Sequence, residues 1–388
     1  STTLARFGAE VIKVEIPDIG DSIRGIGPFA GPEGVNRDRR TEKDISTKFL
    51  KRTQGVKSVT LNLKDPEGRK LFLDLARKSD VIVENLAPGS MIRLGLGYDD
   101  VAAVNPGIVY CSISGYGQSG PYADDPAHDH QIQAMAGMMD VNGEPGGDPR
   151  RMGIFASDLV TPLYAAYSIL AALRHRERTG EGQYLDASMM DSLATLMFME
   201  PLEEAVANDL PIRAGNDSRT GPTGLYHTRD GDLIITAASA GQWAGLCEAL
   251  EAPELFSDER FTDSAGRVEN LPSLRRELQN RIGRLTAAEA IDRMKAADVP
   301  VAPVRSLPDV LTDDHFYRRG TLKPMQHGVL NQAVDGGVVV GFPILFSGEQ
   351  LPDLPGAPSL GMHNDEIFGE ILGLDDVRLR DLKDRGTI

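Results

Sequence analysis

The chain has 388 residues, with 41 Lys and Arg against 57 Asp and Glu and a formal net charge of −16. Its 41% hydrophobic and 25% charged residues describe a folded globular protein rather than a disordered one, and the length allows two domains of roughly 100–200 residues each. The acidic balance argues against nucleic acid as a partner, no window reaches the roughly 18 consecutive apolar residues of a membrane span, and two cysteines, Cys111 and Cys247, are too few for a disulfide framework or a thiolate zinc site, so a soluble, cytoplasmic protein is expected.

Leu4 to Arg6, Gly8 and Val11 to Glu15 read as a helix end, a glycine stop and a short strand. The chain therefore opens inside an αβ unit, and a strand is expected upstream of Ser1. Residues 20–54 are rich in Gly, Pro and charge with little periodicity, which predicts a long loop. A strand over Ser58–Leu63, a helix over Pro66–Lys78 with Asp65 as its cap, and strands over Asp80–Glu84 and Ile108–Ser114 follow. Strands alternating with helices at this spacing predict an α/β fold with a mostly parallel sheet.

The clearest helix is Thr161–Arg178. Thr161 supplies a cap, Pro162 a first position, Leu163, Tyr167, Leu170 and Leu173 one face, and Gly180 the stop. A second helical stretch runs over Asp186–Ala207 with a break at Pro201, and its Met189, Met190, Met197 and Met199 read as core filler. Leu225–Thr228 and Leu233–Ala238 make a hairpin around Gly231, helices continue to about Ala297, and Val338–Val340 is a later strand. The pattern predicts a large α/β domain over 1–200, completed by 326–388, and a small α+β domain over 225–325. The tail from Pro355 holds one helix, Asp365–Leu372, and packs on the first domain.

Gly115-Tyr116-Gly117-Gln118-Ser119-Gly120 has the spelling of a dinucleotide-binding turn, but Pro121 follows and no helix starts there to receive a pyrophosphate. No nucleophile elbow, P-loop or zincin motif occurs. His128-Asp129-His130 offers metal ligands without a third partner, so no metal is expected. Asp158 lies just ahead of the Thr161–Pro162 helix start, in a loop near the positive end of the helix dipole. That placement favours an ionised carboxylate, the form a carboxylate nucleophile needs.

Several long motifs in order carry a family resemblance: Gly8–Glu15, Gly20–Arg24, Asp80–Gly89, Leu94–Tyr98, Ser114–Tyr122, Ile169–Leu173, Gly180–Gln183 and Pro358–Gly361. Across nearly its whole length the chain resembles the class III CoA-transferases, typified by formyl-CoA and carnitine CoA-transferases, together with the related α-methylacyl-CoA racemases. The resemblance implies a Rossmann-like large domain, an interlocked homodimer, a CoA thioester as substrate and no permanently bound cofactor. It places the nucleophilic aspartate at Asp158, which would attack an acyl-CoA thioester, release CoA thiolate and pass the acyl site to a carboxylic acid acceptor. His128 and Asp129 join Asp158 as candidate catalytic residues. Arg24, Asn85, Leu86 and Arg93 match positions that contact CoA, although Ala87 stands where many members carry Arg. Gly215, Gly221 and Gly224 resemble a mobile glycine loop over the site.

The racemase alternative needs a second acid opposite His128 and Asp158. Its position is taken by Ala240 in Ser239-Ala240-Gly241-Gln242-Trp243, and Leu159-Val160-Thr161 replaces the glycines that racemases place after their aspartate. Alanine has no proton to exchange. A non-enzymatic acyl-CoA-binding protein would keep the arginines without needing Asp158. Transferase chemistry is therefore the expectation.

Overall fold

The computed structural model describes residues 2–209, 212–217 and 222–388. Helix α1 (Thr2–Arg6) ends at Gly8, whose φ of 89° only glycine adopts without strain, and strand β1 (Val11–Glu15) follows as predicted. The segment 20–54 is not one loop. It holds a 3-10 turn (Ser22–Gly25), short antiparallel strands β2 (Phe29–Gly31), β3 (Gly34–Asn36) and β4 (Ile45–Ser46) in the order β3-β2-β4, and helix α2 (Thr47–Arg52). Strands of two or three residues are too short to display alternation, so the sequence pattern misses them. Burial holds them instead: Ala30, Ile45, Phe49 and Leu50 share a core with Met325, Val334, Val339 and Ala357 from the far end of the chain.

Strand β5 (Val56–Thr60) lies parallel to β1, with Val11 beside Val56 and Glu15 beside Thr60. Helix α3 (Pro66–Ala76) begins as its signature predicts, the Asp65 side chain accepting from Glu67 N at 3.2 Å. Next come β6 (Val81–Glu84), α4 (Ser90–Arg93), α5 (Tyr98–Ala102), β7 (Val109–Ser114), α6 (Asp129–Met135), α7 (Met138–Val141), α8 (Ala156–Thr179) and β8 (Gln183–Ser188). Strands β6, β7 and β8 form a parallel sheet with β7 in the middle. Val109 and Cys111 bury one face of β7 against Ala165, Ala166, Ile169 and Ala172 of α8, while Tyr110 on the other face packs with Ala76, Val101 and Ile108. Helices on both sides of a parallel sheet make the fold mixed α/β.

Helix α8 is the one helix among the described residues long and apolar enough to cross a membrane, by length and composition alone. Its small residues face the sheet. Leu163, Tyr167 and Leu170, three members of the predicted helix face, point outward and are exposed, together with Leu159. The stretch predicted as a helix from Asp186 opens as β8, because pairing with β7 claims Asp186–Ser188 as strand. Helix α9 (Met189–Met197) starts only afterwards, and α10 (Leu202–Ala207) resumes past Pro201. The methionine run divides: Met197 is buried and Met199 is 78% exposed.

The chain falls into two compact units. One comprises residues 1–136, 153–196 and 313–388, the other 137–152 and 197–312, so 137–152 leaves the region expected to form the large domain. In the second unit, β9 (Gly224–His227) and β10 (Asp232–Ile235) form the expected hairpin. Helices α11 (Ala240–Ala249), α12 (Pro253–Ser257), α13 (Ser264–Glu269), α14 (Leu271–Ile282) and α15 (Ala287–Ala296) lead to β11 (Val301–Pro303), which adds to β10, and α16 (Leu307–Leu311). Tyr226, Leu233, Trp243, Leu246, Phe261 and Leu278 are central to its core.

The last segment of the first unit carries α17 (Asp314–Arg318), hairpin β12 (Leu322–His327) and β13 (Gln332–Val340), a π-helical stretch (Asp365–Ile371) and α18 (Asp376–Asp384). The tail thus holds two helical pieces rather than one. Ile367, Phe368, Leu379 and Leu382 pack on Val59, Leu61, Leu71 and Leu75.

One ion pair ties this unit together. The buried Glu15 carboxylate accepts from Arg24 Nε at 2.7 Å, Arg24 Nη2 at 2.8 Å, Ser58 Oγ at 2.6 Å and Asp21 N at 3.0 Å. Arg24 Nη1 donates to Pro358 O at 3.1 Å, and the guanidinium lies 3.6 Å above the Phe49 ring. Burial alone would push the Glu15 carboxyl up, but hydrogen bonds from Arg24 and Ser58 outweigh it and hold the group below its ordinary value. Arg24, expected at the nucleotide end of CoA, is therefore a framework residue with its donors turned inward. Removing one partner of a buried pair strands the other charge, so Arg24→Ala should lower unfolding free energy by about 3–5 kcal/mol in urea denaturation. A loss below about 1 kcal/mol, the worth of an exposed pair, would refute this role.

Candidate active site

Helix α8 starts at Ala156, five residues ahead of the predicted Thr161 cap, and encloses Pro162. Asp158 consequently sits in the first helical turn and not in a loop. Its position has an external cause. The residue at the cap position, Phe155, offers no side-chain hydrogen bond, and the missing cap comes from α6. Asp129 Oδ1 accepts from Ser157 N and Ser157 Oγ, both at 2.8 Å, and at 3.5 Å from Asp158 N. Gln133 Nε2 donates to Asp129 Oδ2 at 2.7 Å and to Ile154 O at 3.0 Å. The His130 ring stacks on Phe155, centroids 5.4 Å apart and planes 20° from parallel. Farther along, Thr161 Oγ1 donates to Ser157 O at 2.8 Å, and Pro162 has no N–H to offer the Asp158 carbonyl.

The Asp158 side chain is open to solvent and has no hydrogen-bond or ion-pair partner among the described residues. Desolvation by the atoms packed around it pushes its carboxyl above the ordinary value, and the Asp129 charge pushes the same way; Arg52, His128 and His130 pull down. The expected stabilisation by the helix dipole is thus outweighed by lost water and a like charge. A carboxylate of raised proton affinity is a better nucleophile, provided it remains ionised at working pH.

The structure brings together His128, Asp129 and Asp158 through α6 and α8. His128 is the residue before α6, its ring making no capping bond. Asn85, Leu86 and Arg93 lie elsewhere in the same unit, all exposed, just beyond the carboxyl end of β6, the side of a parallel sheet where α/β proteins bind ligands. Leu86 N donates to Glu84 Oε2 at 2.8 Å, and Arg93 Nη2 to Ser90 Oγ at 2.9 Å. The turn at Gly115–Gly120 is pinned by Gln118 N on Asp186 (2.9 Å), and no helix begins between this turn and Asp129. Among the described residues no His, Cys, Asp or Glu cluster could hold a metal. Gly215 and Gly224 belong to the second unit, and Gly221 lies outside the described residues. Sequence reasoning missed Gln133, Ser157 and Arg52; the i, i+4 spacing of Asp129 and Gln133 was the one available signal.

Over residues 1–364 the chain matches CoA-transferase family III. It is 33% identical over 387 residues to the succinyl-CoA:glutarate CoA-transferase of Mus musculus, covering 99% of this chain and 85% of that one. With the acetyl-CoA:oxalate CoA-transferase of Acetobacter aceti it shares 34% identity over 364 residues, 93% of this chain and 88% of that one. The crystal structure of a CAIB/BAIF family protein from Brucella suis superposes with a TM-score of 0.80 at 32% identity, covering 95% and 93% of the two chains. The protein belongs to CoA-transferase family III and is an enzyme of that family.

The raised Asp158 carboxyl makes a prediction for any role that needs it ionised: activity should fall as pH drops through a limb lying above the ordinary aspartate value of about 3.9. A pH profile of kcat/KM checks this. A limb at or below that value would show that desolvation does not act on the reacting group.

Proposed function

We propose that the protein moves CoA between an acyl-CoA thioester and a carboxylic acid through a covalent intermediate on Asp158. The observation that carries the reading is a carboxylate of raised proton affinity in the first turn of α8, without a side-chain partner among the described residues. An Asp158 oxygen attacks the thioester carbonyl carbon, the C–S bond breaks, and CoA leaves as thiolate. The product is a mixed anhydride between Asp158 and the acyl group. The thiolate then attacks the aspartyl carbonyl, freeing the first acid and leaving an aspartyl thioester. The acceptor carboxylate repeats the sequence in reverse, so the second acid departs as its CoA thioester and Asp158 is regenerated. No redox partner or permanent cofactor is needed. The names of the relatives support a short dicarboxylic acid as the acceptor. CoA is assigned to the surface of Asn85, Leu86 and Arg93, where an exposed guanidinium suits a phosphate on an otherwise acidic protein.

Racemisation is disfavoured: Ala240, the first residue of α11, has no acid to offer. The cytoplasm is the proposed location. Two copies are proposed to form a homodimer through the outward stripe of Leu159, Leu163, Tyr167 and Leu170, whose 4-4-3 spacing makes a continuous apolar ridge.

Hydroxylamine added during turnover should convert Asp158 to a hydroxamate detectable by peptide mass spectrometry, and Asp158→Ala should abolish transfer. Retention within about tenfold of wild type, only about 1.4 kcal/mol of transition-state stabilisation, would exclude Asp158 as nucleophile. The double substitution Leu163→Asp, Tyr167→Glu should weaken self-association at least about tenfold by light scattering, since it places charges on the ridge; an unchanged mass would move the interface elsewhere.

A further inference from the structure

We propose that Asp129 and Gln133 act as a clamp on α6 that positions Asp158 and supplies the negative field in which it reacts, making both positioning residues rather than groups that touch substrate. The inference rests on the reading of Asp158 as the nucleophile. Four residues apart, the two side chains share one face of α6, and both are almost wholly buried. Together they hold Ile154 O, Ser157 N and Ser157 Oγ, which fixes the backbone on the N-terminal side of Asp158. Every one of the Asp129 bonds is donated to it, so its two oxygens act purely as acceptors.

The choice of residue is informative. A Ser, Thr or Asn at position 155 would cap α8 without burying a charge, and a buried carboxylate is costly unless compensated. Asp129 is compensated by N–H and O–H dipoles and by the N-terminus of α8, and it makes no ion pair with a cation among the described residues. What a charge adds over a neutral cap is its effect on Asp158, whose carboxyl it pushes up against the opposing pull of His128 and His130 on its own element and Arg52 at the end of α2. The thrust is towards a more basic, more nucleophilic oxygen.

The Asp129→Asn variant keeps the size and one acceptor and removes the charge. It should lower kcat by about ten- to a hundredfold, leave KM for acyl-CoA within about threefold, and move the acid limb of kcat/KM to lower pH. Gln133→Met removes the donor to Ile154 and to Asp129 but leaves the charge; kcat should fall with the acid limb in place. Circular dichroism and melting temperature establish that each variant is folded. An Asp129→Asn enzyme with wild-type kcat, or one with reduced kcat and an unmoved limb, would overturn the proposal, as would wild-type kcat in Gln133→Met if Asp129→Asn fails to fold. Hydroxylamine trapping separates the two readings. No hydroxamate at Asp158 in the wild type refutes the nucleophile itself, whereas a wild-type adduct formed equally fast in Asp129→Asn refutes the clamp alone.

Discussion

The first turn of α8 has backbone N–H groups to satisfy and no cap of its own, because Phe155 occupies the cap position. Asp129 fills that role from another helix, and the consequences spread outward. Capping from outside lets the helix start at Ala156, ahead of Pro162, and so carries Asp158 into a regular turn with a defined direction. The bond from Gln133 to Ile154 O and the stacking of His130 on Phe155 hold the approach to that turn. Asp158 itself is left without a side-chain partner among the described residues.

The sheet supports this arrangement from beneath. Ala165, Ala166, Ile169 and Ala172 are small or flat enough to seat α8 against Val109 and Cys111 of β7, which sets the distance between helix and strand. Glu15 and Arg24 do comparable work at the other parallel pair, where β1, the 3-10 turn, Ser58 of β5 and the backbone of Pro358 meet at one buried charge pair. Ion pairing inside and an exposed carboxylate outside show how one acidic chain assigns opposite tasks to the same chemical group. Glu15 is held down by donors, and Asp158 is held up by lost water and a like charge.

Much of the fold was legible where the cause is local. Asp65 with Pro66 marked the start of α3, Gly180 the end of α8, and the turn at Asp230-Gly231 the hairpin of β9 and β10. Illegible were the elements whose cause is distant. The strands β2, β3 and β4 are too short to show a period and are buried by residues near 325–357; β8 is a strand because β7 lies beside it. The helix signature Thr161-Pro162 was misread for the same reason, since nothing near residue 156 announces a cap that arrives from Asp129.

At the site, the order of motifs in the sequence by itself determined the family and singled out Asp158, His128 and Asp129, because such motifs are strings of neighbouring residues. It could not assign Arg24, whose spelling reads equally as a surface cation and as a buried partner of Glu15. Tertiary structure decided that Arg24 is framework, that Asp158 lies within a helix, and that its carboxyl is raised rather than lowered. The reason is physical: hydrogen bonding, desolvation and like-charge repulsion act across a few ångströms of space, and the charge that pushes Asp158 up sits some thirty residues away along the chain, at Asp129, with Arg52 opposing it from farther still.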